Sequence, residues 1–153
     1  MMHFRTEETI ARPAHEIWAY AADILEHPKW MAVTDPRILS GSSTEVGSRG
    51  REKLRVAGRR YDAEFEVTAA EPGRRLTWRG VSGAPFELEL TLELEPVNDT
   101  ETRASYFGTV QPKGLWRLLE PLMTKEARKG PEAELRRLKK ILEARPALQP
   151  AGA

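Results

Sequence analysis

The chain has 153 residues, with 24 lysines and arginines against 23 aspartates and glutamates, for a formal net charge of +1. That balance argues against a general nucleic-acid binder, which carries a clear basic excess. The absence of cysteine excludes disulfides, zinc fingers and thiol catalysis. Met2 to Ile10 reads as the first strand, and Met1–Glu8 turns polar and acidic too soon for a signal peptide. No apolar run approaches the length needed to cross a membrane. A cytoplasmic protein with no integral membrane segment is the expectation.

After the first strand, Pro13 opens a short helix near its first position, and Ile17, Trp18 and Ala21 give that helix an apolar side. Trp18 on that side reads as a core anchor. Asp23 to Trp30 reads as a second short helical stretch, and Pro36 to Ser40 as a short strand. Gly41 to Gly47 is a loop without the lysine and following helix of a P-loop.

Ser48 to Val110 alternates apolar and polar residues almost throughout, the period-2 signature of strands with one dry and one wet face. A tight turn at Ala57-Gly58 sets Lys53 against Asp62, Arg51 against Glu64 and Arg49 against Glu66. Each pair of opposite charges contributes roughly 0.2–1 kcal/mol, and a one-residue slip would bury all of them. The same fold sets Leu54 against Tyr61, and Gly50 against Phe65. Pro72-Gly73 suits a type II turn, which pairs Val67 with Trp78 and Phe65 with Gly80. Phe65 then has a glycine on both sides. The next turn, Ser82 to Pro85, places Trp78 near Leu88 and Arg79 near Glu87. The last places Glu95 against Arg103, Leu92 against Tyr106 and Leu90 against Gly108.

From Lys113 to Arg145 the pattern becomes helical. Trp116, Leu119, Met123 and Ala127 recur at helical spacing, as do Leu135, Leu138 and Leu142. Pro121, Gly130 and Pro131 interrupt it, so a kink, or two helices meeting near Gly130-Pro131, is expected. Residues 1–145 form one domain in this reading, and 146–153 a disordered tail. The architecture is α+β: a curved antiparallel sheet of about six or seven strands, two short helices after the first, and a long C-terminal helix covering the dry face.

Several segments carry a family resemblance. Ile10 to Trp18, Asp23, Pro28-Lys29-Trp30, Glu71 to Trp78 and Leu135 to Glu143 resemble the START-like, birch-pollen-allergen-like superfamily. Within it, the chain is most similar to the polyketide cyclase/dehydrase and lipid-transport branch. The resemblance implies a helix-grip fold, in which the sheet wraps the long helix around a cavity for an apolar ligand. It names no catalytic residue, and fold does not settle function.

Candidate cavity walls are Trp30, Met31, Phe65, Trp78, Phe86, Leu88, Leu90, Tyr106, Trp116, Leu119 and Met123. Catalysis would need a polar group on the dry face, and parity offers Glu8, Glu52, Tyr61 and Tyr106; a carboxylate buried there could act as an acid or base. Glu52, opposite Ala63, could instead turn outward at a bulge beside Gly50. His3, His15 and His27 have no metal-ligand spacing and no serine-triad arrangement, and each is expected at the surface. No metal and no cofactor is implied. Three readings follow: a non-covalent carrier or sensor of a small hydrophobic molecule, a cyclase/aromatase-type enzyme, or a protein-interaction module on the same fold.

Overall fold

The computed structural model describes residues 1–146, so most of the expected tail lies outside the described residues. Seven strands form one antiparallel sheet: β1 Met2–Ile10, β2 Thr34–Ser40, β3 Arg49–Val56, β4 Arg59–Glu71, β5 Arg75–Ser82, β6 Phe86–Asn98 and β7 Glu101–Pro112. Their order across the sheet is β1-β7-β6-β5-β4-β3-β2. Between β1 and β2 lie α1 (Ala14–Ala21), a 3₁₀ turn (Ile24–Glu26) and the single-turn α2 (His27–Trp30). A second 3₁₀ stretch, Gly114–Leu119, leads into α3, Glu120–Ala144. This is the α+β helix-grip architecture.

The charge-paired hairpin has the expected register, with Lys53, Arg51 and Arg49 opposite Asp62, Glu64 and Glu66. No bulge interrupts it at Gly50, so Glu52 stays opposite Ala63 and points inward. Its two-residue turn has positive φ at both Ala57 (50°) and Gly58 (80°), the type I′ geometry that matches strand twist. At Pro72-Gly73 the Arg74 N–H donates to the Glu71 carbonyl and Gly73 has φ 74°, as a type II turn requires.

The β5–β6 register differs from the sequence expectation by two residues. Trp78 pairs with Leu90 and Arg79 with Glu89, not with Leu88 and Glu87. The end of β5 leans toward β4 instead. Ser82 pairs with Glu64, and a side chain on Gly83 would strike the Asp62 carbonyl oxygen at 1.8 Å. β5 and β6 therefore part beyond Gly80. A two-residue shift preserves parity, so every side chain keeps its face.

The core joins the concave face of the sheet to the helices. Ile10, Leu76, Leu92 and Tyr106 pack with Ile17 of α1, Trp30 of α2, and Leu135, Leu138 and Leu142 of α3; Trp18 packs against the edge of this cluster. α3 runs unbroken through Pro131, so two separate helices are not formed. Pro131 removes one helical hydrogen bond, at a point where the neighbouring Gly130 faces open space. On the face of the helical segment's first half expected to cover the sheet, Trp116, Met123 and Ala127 are half-buried and Leu119 is exposed, while Leu115, Leu118 and Leu122, off that face, are exposed.

Candidate ligand cavity

A cavity of about 90 Å³ opens where β5 and β6 part. Strand alternation aims its walls: Leu54 of β3, Ala63 and Phe65 of β4, Trp78 and Gly80 of β5, and Phe86, Leu88 and Leu90 of β6. Met31 and Val33, just after α2, close one side, and exposed Lys113 marks the mouth. Gly50 and Gly80 flank Phe65 in register, but the ring lies over Gly50. A side chain there would come within 2.5 Å of Phe65 Cζ, whereas one on Gly80 would meet nothing closer than 3.6 Å. The space thus opens on the Gly80 side.

The polar lining residues are His27, Glu52, Glu64, Ser82 and Lys113, and of these only His27 and Glu52 are buried. His27 is 1% exposed and Glu52 6%, which corrects the expectation of a surface histidine. Their contact, Nδ1 to Oε1, is 2.6 Å, and His27 Nε2 lies 3.1 Å from the Ala21 carbonyl oxygen. A carbonyl only accepts, so Nε2 carries a hydrogen, and the short Nδ1–Oε1 contact requires a second proton between the partners. The pair is either imidazolium with carboxylate or imidazole with carboxylic acid. The His27 ring also meets Trp78 and Trp30 edge-on, at 5.4 and 5.9 Å between centroids. An inward Glu52 needs a partner. That need was the available signal for His27, whose short helix also buries Trp30.

Beyond this pair, away from the cavity lining, lies a second polar contact. The Tyr106 hydroxyl donates to Glu134 of α3 at 3.2 Å. Burial pushes Glu134 up to about 7, while the Tyr106 hydrogen bond and the Arg137 charge pull it down. Burial first, then the Glu134 charge, raise the Tyr106 phenol well above its ordinary value. Arg137 Nε donates to the Trp30 carbonyl at 3.0 Å, tying α3 to α2. Sequence reasoning missed Glu134, although it precedes Leu138 by one helical turn and so shares its inward face.

The expected residues divide accordingly. Met31, Phe65, Trp78, Phe86, Leu88 and Leu90 come together around the cavity. Trp30 and Tyr106 are core residues in edge-on contact at 5.8 Å, behind it. Trp116, Leu119 and Met123 do not line it. Of the acid–base candidates, Glu52 alone lines it. Glu8 faces inward opposite Ala104 and is half-buried at the far side of the sheet. Tyr61 is half-buried outside the lining, and Tyr106 is engaged by Glu134. The four do not form one constellation. Among the described residues no group of three or more histidine, aspartate or glutamate side chains could hold a metal ion, and no helix is long and apolar enough to cross a membrane.

Residues 1–143 match the family described as polyketide cyclase/dehydrase and lipid transport. The chain belongs to that family. Among solved structures it is similar to a START superfamily protein from Mycobacterium smegmatis, with a TM-score of 0.80 and 16% identity over 94% of this chain and 98% of that one. It is also similar to TTHA0849 from Thermus thermophilus, with a TM-score of 0.76 and 21% identity over 93% and 97% of the two chains. A third likeness is to the di-domain ARO/CYC BexL of the BE-7585A biosynthetic pathway, with a TM-score of 0.67 and 16% identity over 94% of this chain and 47% of that one. At these identities the likenesses establish the fold. No curated protein matches the sequence.

Proposed function

We propose that the protein binds a small hydrophobic molecule non-covalently in this cavity, as a carrier or sensor. The observation that carries the reading is the lining: an inward wall of Met31, Phe65, Trp78, Leu88 and Leu90 around space that no side chain fills. The cavity is smaller than the roughly 150 Å³ that holds a benzene-sized guest. A ligand therefore inserts about one ring, with Met31 yielding, and leaves the rest in the mouth. A ring burying about 150 Å² gains about 4 kcal/mol at 25 cal/mol per Å², which alone corresponds to a Kd of about 1 mM. Native mass spectrometry of freshly purified protein, followed by organic extraction, tests the reading. A discrete apolar species lost in Trp78→Ala is the expected result. Unchanged binding of every apolar probe by Trp78→Ala would count against it.

A second reading, an enzyme of the cyclase/aromatase kind, has one observation in its favour: the His27–Glu52 pair is a proton-holding dyad on the cavity wall. Against it, Glu52 and Tyr106 each have a structural partner. Turnover of a polyketide-like chain that falls in Glu52→Gln would establish this reading, and turnover indifferent to Glu52→Gln and Tyr106→Phe would remove the assigned roles.

A further inference from the structure

The cavity has a polar end with a fixed sense, and it constrains the guest. Glu52 Oε1 is taken by His27. Oε2 has no partner among the described residues, on a side chain that lines the cavity. If the shared proton rests on His27, Glu52 is a carboxylate and Oε2 accepts. If it rests on Glu52 Oε1, Oε2 is the carbonyl oxygen of an acid and still accepts. His27 cannot reverse this sense, because Nδ1 faces Glu52 and Nε2 faces Ala21. Of the remaining lining, Phe65, Trp78, Leu88 and Leu90 are apolar, and the other polar residues, Glu64, Ser82 and Lys113, are not buried as Glu52 is.

We propose that Glu52 Oε2 is a specificity site for a hydrogen-bond donor, so that the natural guest is a neutral, ring-sized apolar group bearing a hydroxyl or N–H at its buried end. This deepens the ligand-binding reading and rests on it. An apolar guest that reaches Glu52 without a donor leaves a buried acceptor unpaired, which costs more than a missing contact. A guest ending in an acceptor meets Oε2 lone pair to lone pair. The pair also accounts for a carboxylate on an otherwise dry face: it is the group that orients the guest.

The experiment is a titration of the full chain, followed by NMR, with three guests of similar size: toluene with no polar group, p-cresol with a donor, and 4-methylbenzaldehyde with an acceptor alone. p-Cresol is expected to bind about tenfold more tightly than either of the others, and to move the Glu52 side-chain carboxyl resonance, which toluene leaves in place. The double variant His27→Leu/Glu52→Leu removes both partners of the buried pair together, which limits the unpaired-group penalty. It is expected to lose the preference for p-cresol over toluene. If that variant fails to fold, the Glu52 carboxyl resonance of the unaltered protein still decides. Equal binding of toluene and p-cresol, or a p-cresol complex that leaves Glu52 unmoved, overturns the inference while the cavity reading stands. Binding of none of the three overturns both.

Discussion

Glu134→Gln isolates the buried carboxyl that α3 presses against the sheet. Burial raises Glu134 from the ordinary 4.5 to about 7, against the pull of Tyr106 and Arg137. The folded protein therefore holds this proton more firmly than the unfolded chain. Its contribution to stability is fully present below about pH 4.5 and is lost as the pH rises through about 7. A separation of about 2.5 between folded and unfolded values corresponds to about 3 kcal/mol at 1.36 kcal/mol per pKa unit. Glutamine matches the protonated carboxyl in shape and still accepts from the Tyr106 hydroxyl. The variant should thus lie within about 1 kcal/mol of the parent at pH 5 and be about 3 kcal/mol more stable at pH 8.5. Urea unfolding of both proteins at both pH values reads the difference, and every other titrating group cancels in the comparison. A stability difference that stays constant between pH 5 and 8.5 would refute the reasoning, since Glu134 would then titrate like a surface carboxyl.

Other substitutions test the packing. Gly50→Ala drives a methyl into the Phe65 ring and Ile24 at 2.5 and 2.6 Å, and thermal unfolding should show a loss of about 1–3 kcal/mol. Gly80→Ala meets only ordinary contacts; it should leave the unfolding midpoint nearly unchanged and weaken toluene binding by narrowing the cavity. Ala57→Asn relieves a non-glycine residue at φ 50°, and chemical denaturation should show a gain of about 0.5–1 kcal/mol. Leu138→Ala empties a site that is fully buried between α3 and the sheet, at a cost of about 2–5 kcal/mol in the same assay.

The sheet was legible because its information is local and redundant. Three charge pairs, one glycine turn and the alternation all select one register around Ala57-Gly58, and the structure has it. The β5–β6 register was not legible, because a two-residue slip leaves the parity intact. What decides it is the close approach of Gly83 to the Asp62 carbonyl, a contact between distant residues. The cavity is lined by residues of both strands, Trp78 and Gly80 of β5 and Phe86, Leu88 and Leu90 of β6, whose pairing alternation alone does not set. Phe65, Trp78, Leu88 and Leu90 could be placed by parity. His27 could not, since one turn of helix has no periodicity to read. The segment that runs into α3 shows the reverse failure: Leu119 and Met123 have the spacing of a covering face, yet neither lines the cavity.

Under the proposed function, apolar guests enter the cavity lined by β3 to β6 and Met31, and do not simply adhere to the exposed leucines Leu115, Leu118 and Leu122. Methyl NMR of the protein titrated with toluene separates the two directly. Saturable shifts are expected at Met31, Ala63, Leu88 and Leu90, with Leu115, Leu118 and Leu122 unmoved. Shifts confined to those exposed leucines, or shifts that never saturate, would contradict binding in the cavity and favour a protein-interaction surface instead.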